Sequence, residues 1–159
     1  MNIQIVCVGK IKEAFYRDAI AEYSKRLNRY CKLKIFEVAD ENTPQNASEI
    51  LEEQIREKEA ERIFKAIPVH TYLCILAIEG KEFDSVSFAN KIDSLATTGV
   101  SDITFVIGGS LGLAQSVYQR ADMKISFSRM TFPHQLMRVI LLEQIYRGYR
   151  IIHNEPYHK

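Results

Sequence analysis

The 159 residues predict a single α/β domain built on a mainly parallel sheet with helices on both faces. Apolar runs of strand length alternate with helix-length segments along the whole chain, the order that forces crossover helices. Two of those runs, Thr71–Ala77 and Ile103–Ile107, are apolar without alternation, as in strands covered on both faces. No repeat, low-complexity linker or break in composition divides the chain, so residues 1–159 read as one domain.

Asn2–Val8 is β-branched and apolar, hence a strand, and Gly9 closes it. Residues 11–29 follow as a helix. Tyr16, Ile20, Tyr23 and Leu27 fall on one face and leave Lys12, Lys25, Arg26 and Arg29 mostly on others. Lys34–Val38 is the second strand. The loop DENTPQ leads into a helix over Ala47–Lys65, with Thr43 as N-cap and Pro44 at the first helical position. That helix is highly charged and its apolar stripe (Ile50 and Leu51, Ile55, Ile63) is narrow, so it should be exposed and project. Thr71–Ala77 is the third strand and EGKEFDS a turn. Asp84 or Ser85 caps a helix running to Leu95. Ile103–Ile107, a short helix at Ala114–Arg120, a short strand at Met123–Ser126 and a long helix at His134–Ile152 complete the order before the tail HNEPYHK.

The composition, 47% apolar and 26% charged, is that of an ordinary globular protein. No run approaches the roughly 20 apolar residues of a membrane span, and the start MNIQIVCVGK lacks the basic region of a secretory signal. Cys7, Cys31 and Cys74 are odd in number and without a Cys-x-x-Cys pair, with no His or Cys at ligand spacing. They read as reduced, mostly buried thiols of a cytoplasmic protein, and no metal site is expected. The net charge of +1 conceals three blocks: residues 10–34 carry eight Lys or Arg against three acids, residues 35–119 six against fourteen, residues 120–159 seven against three. Two basic segments thus flank an acidic middle, a distribution that suits either a polyanion partner or plainly solvated faces.

The stretch FVIGGSLGL, Phe105–Leu113, places glycines at 108, 109 and 112 directly after a strand. A dinucleotide fingerprint would follow the first strand as Gly-x-Gly-x-x-Gly. A P-loop would continue Gly-Lys-Ser/Thr, where Leu113 and Ala114 stand instead. Both readings fail. What remains is a backbone that a ligand can approach closely, or an ordinary tight turn. Ligands in open α/β sheets bind at the carboxyl ends of the strands. Two more loops, AIEGKEF and FSRMTFP, leave that edge in the same sense. Three converging loops, with few charges in two of them, suit a neutral or zwitterionic nucleoside better than a triphosphate.

In HQLMRVILLEQIYRGYRII nearly every face is apolar, so the last helix is buried on more than one side. The sheet can supply one side and a second copy of the chain the other, a homodimer. Glu143 and Arg147 stand at i,i+4 and can pair. Arg138, a lone charge on an apolar helix, should meet an acid, a carbonyl or a phosphate.

FVIGGSLGL followed by ISFSRMTFPHQLMRVILLEQIYRGYRIIHNEPYHK closely resembles the RlmH family, ribosomal large-subunit methyltransferases of the SPOUT superfamily. LAIEGKEFDSVSFANKI, Leu76–Ile92, fits that family's Leu-(Asp)-x-x-Gly-Lys block, with Ala77 where an acid is common. The resemblance covers essentially the whole chain. It implies a SPOUT-type α/β knot, a C-terminal trefoil that no periodicity reveals, with S-adenosylmethionine bound bent in the knotted loops and a homodimer completing the site. Matched motif by motif, the cofactor contacts would be Leu76, Gly108, Phe127, Ser128, Arg129, Met130, Thr131 and Phe132. The implied substrate is pseudouridine 1915 in helix 69 of 23S rRNA, methylated at N3 in the assembled ribosome. Tyr157 and His158 would position the target base, with His158 the weaker candidate for the base that takes the N3 proton. His134 opens the last helix beside the cofactor loop and is more simply a helix-start residue. Arg138, Arg147 and Arg150 would face RNA phosphate or the partner subunit, and Lys25, Arg26 and Arg29 RNA phosphate. Neither metal nor membrane is implied. The competing readings are a non-catalytic ribosome-binding factor of the same fold, another SPOUT RNA methyltransferase, and, weakest, a serine hydrolase using Ser110 and His134, which lacks a Gly-x-Ser-x-Gly elbow.

Overall fold

β1 (Asn2–Val8) divides its side chains between two cores: Ile3, Ile5 and Cys7 enter one, Val6 and Val8 the other. The same alternation runs through β4 (Asp102–Ile107), with Ile103, Phe105 and Ile107 opposite Val106. A strand apolar on both faces must be covered on both, and the computed structural model, which describes residues 1–159, supplies the cover. α1 (Ala14–Leu27), α3 (Ser85–Thr97) and α5 (His134–Ile152) close the larger core with Leu27, Ile92, Leu142 and Ile145. α2 (Glu49–Ala66) and α4 (Gln115–Arg120) close the smaller one with Ala60, Ile63 and Val117. With β2 (Lys32–Val38), β3 (Tyr72–Glu82) and β5 (Met123–Ser126) the five strands lie in the order β2-β1-β4-β3-β5, every pair parallel.

The boundaries that differ from the sequence reading do so for local reasons. α1 begins at Ala14, not residue 11, because Glu13 is extended and the Ile11 and Lys12 carbonyls, which a helix from residue 11 would turn to later amides, accept from the Arg17 guanidinium; the Ile11 and Lys12 amides bond the Glu37 carboxylate and the Gln135 side chain. β2 begins at Lys32, whose amide joins the ladder through the Met1 carbonyl at 3.1 Å. Thr43 and Pro44 do not start α2. Pro44 closes a turn with Ala47, and Ser48 caps the helix, its hydroxyl accepting from the Leu51 amide at 3.2 Å. Nor does α2 project: Ile55, Ala60 and Ile63 are buried and the helix lies against β1 and β2, while Ile50 is left exposed.

EGKE is strand rather than turn. β3 runs on to Glu82 and meets β5 twice, with Leu76 and Lys81 both opposite Ile125. Ala77 to Gly80 have no partner on β5 and bow outward. The second pairing needs Gly80, because a Cβ there would lie 2.8 Å from the backbone of Lys124 and Ile125. α5 packs between α1 and α3 with Leu141, Leu142, Ile145 and Tyr149 buried. No helix is long and apolar enough to cross a membrane. All three cysteines are free and buried, and burial pushes the Cys7 thiol up to about 12 and Cys31 up to about 11.

Candidate active site

The carboxyl ends of β3, β4 and β5 open onto one cavity of about 390 Å³, within the range of small-molecule sites. The bowed segment of β3 forms one wall with Leu76 to Glu79, the glycine loop Gly108 to Leu113 a second, and the loop after β5 a third with Phe127, Ser128, Met130, Thr131 and Phe132. Seven of the eight residues matched to cofactor contacts therefore stand round one space. Arg129 is the exception, exposed and outside the lining. Gly108 brings bare backbone to the cavity; a Cβ there would press on Gly112 and Leu113 at 3.1 Å. The Ser128 hydroxyl folds its loop by accepting from the Met130 amide at 3.0 Å, and the Ser128 carbonyl accepts from Ser126.

No lysine or arginine lines this cavity, so it offers no counter-charge to a triphosphate. An adenosine sulfonium fits what is present: apolar walls from Leu76, Ile107, Leu113 and Met137, close backbone, and one carboxylate, Glu79. Burial and the nearby Arg138 charge lower the pKa of His134, which keeps it neutral. Ser110 and His134 share the lining but no hydrogen bond joins them, so a nucleophile–base pair is not built. No three His, Cys, Asp or Glu side chains stand together as metal ligands.

A second cavity, about 560 Å³, shares Ile125, Ser126 and Phe127 with the first and has His158 on its wall. His158 is held there by the tail folding back on α5. Asn154 takes the left-handed φ of 53° that reverses the chain. The Glu155 carboxylate then accepts from Tyr30 Oη at 2.8 Å and pairs with Arg150, whose Nη2 donates to the Pro156 carbonyl at 2.8 Å. Tyr157 lands edge-on against Tyr146, ring centroids 4.9 Å apart, under the Arg147 guanidinium at 4.6 Å. Glu143 Oε1 gathers Arg147 at 2.6 Å and the Tyr157 hydroxyl at 3.1 Å. Burial and the Glu143 charge push the Tyr157 phenol up to about 12, so it is a hydrogen-bond donor at neutral pH. Arg147 Nη1 lies 3.2 Å from His158 Nδ1. A guanidinium only donates, so Nδ1 accepts and the neutral ring carries its hydrogen on Nε2. In this arrangement neither Tyr157 nor His158 is poised to take a proton.

The arginines separate into two groups. Arg138 is withdrawn from the RNA-facing set: it is 2% exposed, paired with Glu37 at 2.6 Å and donating to the Gly9 carbonyl at 2.7 Å, so it meets the acid and the carbonyl rather than a phosphate. Arg147 and Arg150 are engaged in holding the tail. Arg26 pairs with Glu22 and lies over Tyr23 and Tyr146 at 5.5 and 5.6 Å, beside the tail. Lys25 and Arg29 face solvent; Arg29 is 3.8 Å from Glu155 and Lys25 has no ion-pair partner. Sequence reasoning missed Glu79, Tyr118 and the Tyr30–Glu155 pair; for Glu143 it foresaw the i,i+4 pairing with Arg147, which the structure shows at 2.6 Å, but not the bond from Tyr157. Only Glu79 had left a signal: with Ala77 where an acid is common, the next same-face position of a strand is 79.

A family model described as "Predicted SPOUT methyltransferase" matches residues 1–158. The chain is 60% identical over all 159 residues, and over the full length of the relative, to a protein of Bifidobacterium adolescentis named ribosomal RNA large subunit methyltransferase H. It is 58% identical, again at full length of both, to a protein of that name from Clostridium beijerinckii. A solved Haemophilus influenzae structure, described as a probable methylase family protein, shares the fold with a TM-score of 0.54 at 13% identity, covering 99% of this chain and 70% of that one.

Proposed function

The chain belongs to the SPOUT methyltransferase family, and on that premise we propose that it transfers the methyl group of S-adenosylmethionine to N3 of pseudouridine 1915 in helix 69 of 23S rRNA. The observation that carries the reading is the pair of adjoining cavities. One suits an adenosine sulfonium, and the other has His158 on its wall and the Tyr157 tail beside it.

S-adenosylmethionine supplies a methyl already activated by the sulfonium charge. The chain has to hold it, aim the nucleobase and manage one proton. Leu76, Gly108 and Phe127 to Phe132 hold the donor, with Arg129 outside the lining. His158 presents its Nε2–H to the base, and Tyr157, whose O–H is given to Glu143, offers its ring and hydroxyl lone pairs beside it; alignment of this kind is worth roughly 7–11 kcal/mol in well-ordered systems. Glu143 and Arg147 hold those two groups in place. Lys25, Arg26 and Arg29 form the electrostatic contact with RNA phosphate. The reading brings with it the family's trefoil knot and a homodimer through the half-buried Leu136, Val139 and Ile140 of α5. It also brings action on the assembled cytoplasmic ribosome, whose shape compensates for so little dedicated RNA-binding surface.

Isothermal titration with S-adenosylmethionine, ATP and NAD tests the donor. Micromolar binding of S-adenosylmethionine alone is expected. Preference for ATP or NAD contradicts the reading.

A further inference from the structure

The donor cavity is electrostatically lopsided. Glu79 is the only lining side chain with a full charge at neutral pH, since His134 is kept neutral and no lysine or arginine reaches the walls. It sits on the bowed segment of β3, and Tyr118 lines the same wall. The Tyr118 hydroxyl holds the carboxylate below the ordinary glutamate range, and Lys124, with Nζ 5.6 Å from the Tyr118 ring centroid, is the nearby cation. The carboxylate, exposed at the cavity mouth, therefore stays charged through a reaction cycle.

The charge of the ligand does not. S-adenosylmethionine carries a sulfonium, an ammonium and a carboxylate, one net positive charge. In the transfer, the N3 lone pair forms the new C–N bond and the S–CH₃ bond breaks. Its electron pair stays on sulfur as a neutral thioether, and the N3 proton leaves. S-adenosylhomocysteine is net neutral. We propose that Glu79 makes this cavity charge-selective, retaining the cationic donor and releasing the neutral product. The inference rests on the donor reading above and adds to it a residue that sets donor-over-product preference.

The test is titration of the full chain with each ligand, wild type against Glu79→Gln and Glu79→Lys, with thermal melts to verify folding. The ratio of product Kd to donor Kd should fall about threefold to tenfold in Glu79→Gln, the scale of one Coulombic contact at a partly solvated site, and further in Glu79→Lys. If the variants do not fold, the wild-type ratio decides alone: it should fall between about 0.02 M and about 0.5 M salt. A ratio unchanged in Glu79→Gln, with both ligands weakened equally, overturns the proposal and leaves Glu79 an uncharged contact. Wild type that binds neither ligand fails at the donor reading instead.

Discussion

Arg138 has one carboxylate and one carbonyl to satisfy a guanidinium that is almost wholly out of water. Removing the carboxylate leaves that charge buried and unpaired, a change that usually destabilises strongly. Glu37→Gln should lower unfolding free energy by about 2–4 kcal/mol, less than the fully buried case because Glu37 is partly hydrated; urea titration measures it. A midpoint unchanged in urea would mean that the Gly9 carbonyl suffices. For the tail, Tyr157→Phe and His158→Ala should lower methyl transfer to ribosomes by about tenfold to a hundredfold, the scale of a misplaced reactant, while donor affinity stays within about twofold. Equal losses of donor affinity would place these residues at the first cavity instead. A lone charge on an apolar helix is itself a pattern, which is why Arg138 could be matched in advance to an acid or a carbonyl. Glu143 showed only its i,i+4 pairing with Arg147, not its bond to Tyr157, and Tyr30 carries no mark at all. Tyr30 acts only because folding brings it beside a residue distant in sequence, Glu155.

Helix and strand interiors were legible because apolar period and length are local properties, and α5 and β5 end where the sequence reading ends them. Their edges were not, where a backbone group is taken by a side chain: the Lys12 carbonyl accepts from Arg17 and Glu13 stays extended, so α1 starts late. The extension of β3 past Ala77 was invisible for a similar reason, since Gly80 reads as a turn residue until Ile125 lies against it. Gly80→Ala should therefore unfold the chain or lower its melting temperature by at least several degrees, whereas Gly99→Ala, with open space at its Cβ but a φ of 96°, should cost only the strain of its backbone. Equal melts for wild type and Gly80→Ala would show that β5 can give way. The tail latch is the other element-scale device. Tyr30 and then Arg150 and Arg29 hold the Glu155 carboxyl below the usual range. A carboxyl whose pKa is depressed on folding contributes above its unfolded pKa and loses that contribution as pH falls through the folded value. Amide exchange in residues 155 and 157–159, taken relative to the intrinsic rate at each pH, should stay slow at neutral pH and quicken in acid. Glu155→Gln should quicken it at neutral pH and lower turnover without weakening donor binding; exchange unaltered in this variant would leave the latch without a role.

At the scale of the whole molecule, strand alternation and doubly covered β-runs were enough to predict a parallel sheet clad on both sides. Converging loops at its carboxyl edge were enough to predict where a cavity opens. Which ligand, and which RNA, came from motif resemblance, because a cavity's shape follows from packing that no single segment encodes. The basic faces and the proposed dimer belong to this scale. Sedimentation at micromolar concentration should give a dimer, and activity on ribosomes should fall as salt rises, with a shallower salt slope when Lys25 and Arg29 are replaced by Gln. The central claim is tested most directly by incubating the protein with methyl-labelled S-adenosylmethionine and ribosomes that lack the modification, then mapping the label. The account predicts label on one pseudouridine of helix 69, at N3, with far less transfer to naked 23S rRNA. Label on another nucleotide, or comparable transfer to naked RNA, would contradict it.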